Sequence, residues 1–304
     1  MVRIAVVGSL MMDLVVRAPR PAMPGESLIG RSFATFVGGK GGNQAAAAAR
    51  LGARVAMIGA VGADAFGEAI LASLAADGIE TGFVRRLGGE GTGVAVPVVF
   101  DDGSNLIYAL PRANLALAPP DIEAARAVIE AVDVLLVQFE VAPEATLAAL
   151  RIARAAGVRT ILNPAPVAPH PGEVFALADL LVPNEIEAAA LSGAAGAPLE
   201  TQAAALRALG PSAVVITLGE RGALIESDSG VRRVPAPRVE AVDTVGAGDA
   251  FCGALAVRLA AGGPLEAAAA YACRAAALAC TRPGAAASLP SFDEVEEFTR
   301  RLTA

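Results

Sequence analysis

The chain has one histidine and one lysine among its 304 residues. The single imidazole, His170, sits in a proline-rich stretch where a surface-loop residue is expected. Ser-His-Asp hydrolysis and histidine-built metal centres are therefore poor readings. The three cysteines, Cys252, Cys273 and Cys280, form neither a Cys-x-x-Cys pair nor an even disulfide framework. They read as small buried apolar residues in a reducing compartment. Apolar residues make up 55% of the chain, yet no uncharged run approaches the roughly 18 residues a membrane span needs. The longest, residues 160–172, carries four prolines. A net charge of −7 removes the basic face that non-specific nucleic-acid binding requires. No Gly-x-Gly-x-x-Gly occurs, so the dinucleotide fingerprint is missing. The N-terminus opens directly on a strand-like run, without the basic and apolar regions of a secretory leader. A cytoplasmic protein with no membrane and no nucleic-acid partner is expected.

What is present is an alternation. Residues 2–7, 55–61, 132–139, 160–163, 180–183 and 213–218 are short, apolar and β-branched. Between them lie alanine-rich stretches of helical spacing at 43–51, 66–76, 143–155, 185–191 and 201–209. Buried strands separated by helices predict a mostly parallel sheet covered on both faces, a three-layer α/β/α sandwich. The C-terminal part reads as helices at about 247–261, 265–280 and 293–302. Two segments, 14–37 and 91–110, are strand-like with no helix attached, and the second turns at Asp101-Asp102-Gly103. They read as one small β-lid inserted in a single domain spanning 1–304.

Four segments carry chemistry. Asp243-Thr-Val-Gly-Ala-Gly-Asp249 leads into an apolar helix. Gly246 and Gly248 let backbone N–H groups converge at its N-terminus, which the helix dipole makes an anion site. Asp249 then falls in the first turn, suited to take a proton from a hydroxyl attacking a phosphoryl group. An ordinary glycine-containing cap is the alternative. Gly38-Gly-Lys-Gly-Gly-Asn43 holds the only lysine, with Lys40 and Asn43 as donors. It lacks the Gly-Lys-Ser/Thr of a Walker A loop and is either a ligand loop or a flexible turn. Asp13, just past the first strand, either accepts ligand hydroxyls or caps a turn. Asn184 and Glu187, at i and i+3, either help to hold hydrated Mg²⁺ or form a capping box.

Together and in this order, the four segments resemble the ribokinase-like carbohydrate kinases, the phosphofructokinase-B superfamily. Residues 38–43 resemble its first signature and 243–251 its second. Asn-Pro-Ala-Pro at 163–166, residues 183–187, Ile216-Thr-Leu-Gly219 and Thr281-Arg-Pro-Gly284 resemble its ribose-phosphorylating branch. The resemblance implies ATP-dependent transfer of the γ-phosphoryl to the primary 5-hydroxyl of D-ribose. Asp249 would be the base, and the amides of Gly246, Ala247 and Gly248 the anion hole. Asp13, Gly39, Lys40, Asn43 and Glu140 would bind the sugar. Asn184, Thr217, Gly219, Gly222 and Gly248 would line the ATP site, with Asn184 and Glu187 organising Mg²⁺ indirectly. Potassium would be held by Asp243 and Ser288 with carbonyls of Val245, Ala279, Arg282 and Gly284. The lid would close over the sugar and pair with a second lid in a homodimer.

Two positions depart from the pattern. Met11 stands where the family usually has an asparagine that reaches a sugar hydroxyl, and Pro111-Arg112 where it typically has Ala-Gly. Losing one such hydrogen bond costs about 0.5–1.5 kcal/mol, tolerable for catalysis but enough to alter preference. A nucleoside, a 2-keto-3-deoxy sugar acid or another furanose is therefore the alternative substrate. A non-catalytic nucleotide or sugar sensor is a third reading, and the intact Gly-Ala-Gly-Asp opposes it.

Overall fold

The computed structural model describes residues 1–303; Ala304, the last residue of the expected domain, lies outside them. From the N-terminus run β1 (Arg3–Val7), β2 (Met11–Ala18), β3 (Ser32–Gly38), α1 (Lys40–Arg50), β4 (Arg54–Gly62), α2 (Ala65–Ala76), β5 (Glu80–Leu87), β6 (Gly93–Phe100) and β7 (Asn105–Leu110). Two short helices, α3 (Pro119–Ala124) and α4 (Arg126–Glu130), lead to β8 (Val134–Gln138), α5 (Pro143–Ala156) and β9 (Arg159–Asn163). Then follow α6 (Glu173–Leu177), β10 (Leu180–Leu181), α7 (Glu185–Ser192), α8 (Leu199–Arg207) and β11 (Ala213–Thr217). A hairpin, β12 (Ala223–Ser227) and β13 (Gly230–Val234), precedes α9 (Ala247–Ala260), α10 (Leu265–Ala279) and α11 (Phe292–Thr303).

The expected layers are there. A nine-stranded sheet has the order β13-β12-β11-β10-β9-β8-β1-β4-β5 and is parallel from β11 to β5. Its strands feed two apolar cores. Ile4, Val6, Met57 and Leu136 point to one, packed against α1, α9 and α10. Ala5, Val7, Ile58 and Val137 point to the other, beneath α5 and α8. The period of two within each strand divides neighbouring residues between these faces. Three strands lie beyond the expected set. β5 carries Glu80, Arg85 and Arg86 at one edge, and the antiparallel pair β12 and β13 forms the other. The two edge strands, β5 and β13, tolerate charge and lack the apolar signature of the buried ones, whereas β12 is a short inner strand with Ala223, Leu224 and Ile225 buried. The short helices α3, α4 and α6 were likewise unmarked.

A separate four-stranded sheet, order β3-β2-β6-β7, is built from the two insertions. It begins earlier than expected. Met11, Met12 and Asp13 are not loop residues past β1 but the first residues of β2, pairing with Gly38, Val37 and Phe36 of β3. The glycine–lysine segment also differs from a flexible loop, because α1 already starts at Lys40. Gly39 has φ +86°, and a methyl group at Gly41 would lie 2.6 Å from the Gly8 carbonyl carbon. These glycines permit a sharp turn and close backbone packing. No helix among the described residues is long and apolar enough to cross a membrane.

Candidate active site

The N-terminus of α9 is the centre of the site. Gly246, at φ +81°, is its N-cap, and Asp249 lies in its first turn with only 7% of its surface exposed. The carboxylate is bound from α1: Asn43 Nδ2 donates to Oδ2 at 2.9 Å and Gln44 Nε2 to Oδ1 at 3.0 Å. The helix that begins with Lys40 thus meets the helix that begins with Ala247 at the buried acid. Burial pushes the Asp249 carboxyl above its ordinary pKa, while the Lys40 charge and the two amides oppose the rise. Burial disfavours the Lys40 ammonium, but Asp249, Glu140 and Glu187 outweigh it and raise its pKa.

Glu140, just past β8, accepts from the Lys40 backbone N–H at 3.1 Å and from the Ser9 hydroxyl. Burial raises its pKa against the pull of Lys40. Asp13 is pushed up to about 6, first by burial and then by the charges of Glu140 and Asp249. Glu140 and Asp249 thus act electrostatically on both Asp13 and Lys40. Asn43 Oδ1 is buried and accepts from no protein group among the described residues.

Several contributors lie outside the expected site residues, Asn163 of the Asn-Pro-Ala-Pro run among them. Gln138, at the end of β8, donates through Nε2 to Gln44 Oε1 at 2.6 Å. Gln44 also donates to Asn163 Oδ1 at 3.2 Å, and Asn163 Nδ2 to the Val182 carbonyl at 2.8 Å. This buried amide chain links β8 and β9 to the acid on α9. Asn114 clamps the segment before β2, accepting from Leu10 N–H at 2.8 Å and donating to its carbonyl at 2.9 Å. The available signal was a lone amide at the end of an apolar strand, where buried polar groups need a partner.

On the other side of Gly246, Ala247 and Gly248 lies a cavity of about 640 Å³. Thr217, Gly219, Gly222, Ala247 and Gly248 all line it. The Gly246 and Gly248 amides make no backbone bond among the described residues, whereas Ala247 N–H donates to the Thr244 carbonyl at 3.3 Å. One of the three expected anion-hole donors is thus engaged by the turn itself. Asn184 follows β10 and bridges to Thr217 at the cavity's edge. It forms a complete capping box with Glu187: Glu187 N–H donates to Asn184 Oδ1, and Asn184 N–H to Glu187 Oε2, both at 2.8 Å. Glu187 Oε1 remains outside that box, and burial raises the Glu187 pKa. The described residues contain no cluster of three or more histidine, cysteine or acidic side chains fit to hold a metal.

The residues expected around a monovalent cation lie on two loops that meet. Asp243 accepts from Val245 N–H at 3.0 Å and Gly284 N–H at 2.9 Å. A methyl group at Gly246 would lie 3.0 Å from Ala285 Cα. The Ala279 carbonyl accepts from Arg282 N–H, and the buried Ser288 hydroxyl donates to the Ala285 carbonyl.

One expectation is corrected. His170 is half-buried, stacked on Phe139 with ring centroids 3.5 Å apart, because the proline-rich segment folds back over the end of β8. Arg112 places its charge at the lid. Its guanidinium donates to the Thr92 carbonyl and Glu90, both at 3.3 Å, across the root of the small sheet. Its φ is +47°, which accounts for glycine being usual there. A side chain in that conformation costs about 1–2 kcal/mol.

The pfkB family carbohydrate kinase model matches residues 1–291. The chain belongs to the pfkB family of carbohydrate kinases. Among pfkB relatives, a ribokinase of Bacillus subtilis (strain 168) is 41% identical over 294 residues, covering 97% of this chain and 98% of the relative. A deoxyribokinase of Salmonella typhi is 36% identical over 299 residues, covering 97% and 98%. A solved Arabidopsis thaliana ribokinase, described as complexed with ribose and ATP, superposes with a TM-score of 0.91 at 30% identity, covering 98% of this chain and 99% of that one. The activity is ATP-dependent phosphorylation of a carbohydrate hydroxyl.

Proposed function

We propose that the chain transfers the γ-phosphoryl of ATP to the primary 5-hydroxyl of D-ribose. The observation that carries this is the position of Asp249: bound to Asn43 on the sugar side and one residue from the amides that line the nucleotide cavity. The sugar oxygen attacks phosphorus, its proton passes to Asp249, and the bond from phosphorus to the ADP oxygen breaks. Gly246 and Gly248 amides stabilise charge on the transferring group, and Ala247 joins them once its bond to Thr244 opens. Asp13, Gly39, Lys40, Asn43 and Glu140 hold the sugar, the unsatisfied Asn43 Oδ1 accepting a hydroxyl. Thr217, Gly219 and Gly222 receive the nucleotide.

Mg²⁺ fits the site because it takes few protein oxygens and keeps most of its waters. Glu187 Oε1, with Asn184, would organise that hydrated ion, whose role is to neutralise phosphate charge. K⁺ would sit between the loops bearing Asp243, Val245, Ala279, Arg282, Gly284 and Ser288, and support the anion hole. The small sheet acts as a lid that excludes water from the transfer. Its exposed apolar residues Phe33, Ile107 and Tyr108 favour pairing with a second lid in a homodimer. A single monomeric species in sedimentation equilibrium at micromolar protein would remove that part.

A second reading is favoured by Met11, which is 3% exposed on β2 beside Gly38 and cannot hydrogen-bond a hydroxyl as asparagine does. It is a pentose lacking one hydroxyl, such as 2-deoxyribose, the class named in the Salmonella relative. A sugar acid is less favoured, because the Arg112 guanidinium is committed to Glu90 and Thr92. An ADP-release assay with Asp249→Asn tests the central claim. Turnover should fall by about 10³-fold with ATP affinity retained. Turnover within tenfold of the parent refutes Asp249 as the base.

A further inference from the structure

Helix α1 has a working residue at each end. Its first turn carries Lys40, Asn43 and Gln44. Its last residue, Arg50, reaches the loop that supports the anion hole. Arg50 Nη1 donates to the Ala286 carbonyl at 2.6 Å and the Leu289 carbonyl at 3.3 Å. The rest of the guanidinium is held by Asp77 after α2: Nε to Oδ1 at 2.9 Å and Nη2 to Oδ2 at 3.0 Å. Both side chains are largely shielded, at 27% and 17% exposure. A planar fork gripped on one edge and donating from the other has little freedom to move.

The loop that Arg50 holds is the one that meets Gly246. Gly284 N–H binds Asp243, Ala285 lies against Gly246, and Ser288 bonds back to Ala285. The Phe36 ring of β3 lies against Gly284. The α1 helix packs closely on α9 at Gly253, where a methyl group would lie 2.5 Å from Ala47 Cβ.

We propose that Arg50 is a positioning residue for phosphoryl transfer, acting through the Ala286 and Leu289 carbonyls to hold the 284–289 loop against the anion hole at Gly246. The inference rests on the anion-hole and cation reading above and adds the group that sets that loop's position. Arg50 lies at the opposite end of α1 from Lys40, Asn43 and Gln44. Its removal therefore acts on the transferring phosphoryl group and leaves the sugar end of α1 in place.

The test compares Arg50→Gln, Arg50→Lys and Asp77→Asn with the parent. Arg159→Gln is the control, since it loses a comparable bond to the Leu259 carbonyl away from the loop. In Arg50→Gln, kcat should fall at least about tenfold while the sugar KM stays within about twofold. The half-activating K⁺ concentration should rise several-fold, and Arg50→Lys should recover part of kcat. In the ligand-free protein, amide exchange of residues 243–249 should be faster in Arg50→Gln than in the parent and unchanged in Arg159→Gln. A folded Arg50→Gln with kcat within twofold of the parent and unchanged exchange overturns the proposal. So does a loss confined to the sugar KM. If Arg50→Gln fails to fold, Arg50→Lys and Asp77→Asn are judged by the same kcat and exchange criteria. A parent that does not phosphorylate pentoses, or does not respond to K⁺, removes the reading above instead. The exchange result still decides the role of Arg50.

Discussion

Met11 concentrates the question of substrate in one side chain. It is buried in β2, two residues before Asp13 on the same strand, at the position where the family usually has an asparagine. A good hydrogen bond to a sugar hydroxyl is worth about 0.5–1.5 kcal/mol, or about 2- to 13-fold in kcat/KM. Met11→Asn should therefore raise kcat/KM for ribose by several-fold relative to 2-deoxyribose. Paired progress curves on the two sugars measure the ratio, and an unchanged ratio would show that specificity is set elsewhere. The neighbouring Asp13 makes a pH prediction with two opposite signs. Its pKa of about 6 lies above the model-peptide value of 3.8, so the folded protein holds the proton more tightly than the unfolded chain. Asp13 thus contributes stability that is fully present below about pH 4 and lost as pH rises through about 6. The proposed role of Asp13 as an ionised acceptor of sugar hydroxyls runs the other way, and on that reading kcat/KM should fall as pH drops through about 6. Asp13→Asn should flatten the first effect: its melting temperature minus the parent's should grow from pH 4 to 6 and then level off. A difference independent of pH would contradict the assignment.

At the scale of elements, the glycines mark contacts rather than flexibility. The α1 and α9 helices pack closely because Gly253 offers no side chain where Ala47 and the Ala48 backbone approach. Gly253→Ala sets two effects against each other. Alanine improves helix propensity by about 1 kcal/mol. A methyl group 2.5 Å from Ala47 Cβ forces the helices apart, at about 1–3 kcal/mol. The clash should win and lower the urea midpoint. It should also reduce kcat, because the shift carries Asp249 away from Asn43 and Gln44. A midpoint at or above the parent's would mean the interface yields without strain. The same packing explains why alanine dominates α9 and α10: α9 is buried on nearly all sides between the sheet, α1 and α10, and only small residues fit.

At the scale of the molecule, the site exists because strand ends from distant parts of the chain meet. Asp249 and Gln44 are 205 positions apart, and Ser9 and Glu140 are 131 apart. Parallel strands connected through helices bring their carboxyl ends to one edge, where Gln138, Asn163 and Asn184 all emerge. The sequence by itself determined the alternation of buried strands and helices, the two insertions, and the glycine turns around Lys40 and Asp249. Those properties are local: hydrophobic period, β-branching and glycine spacing act over a few residues. Only the tertiary structure decided that β2 begins at Met11, that Arg112 reaches Glu90 and Thr92 across the root of the small sheet, and that His170 stacks on Phe139. The amide chain through Gln44, Gln138 and Asn163, and the grip of Arg50 on the 284–289 loop, belong with these. A hydrogen-bond partner is chosen by which backbones become neighbours, and that depends on sheet order and helix packing rather than on the residues flanking the donor.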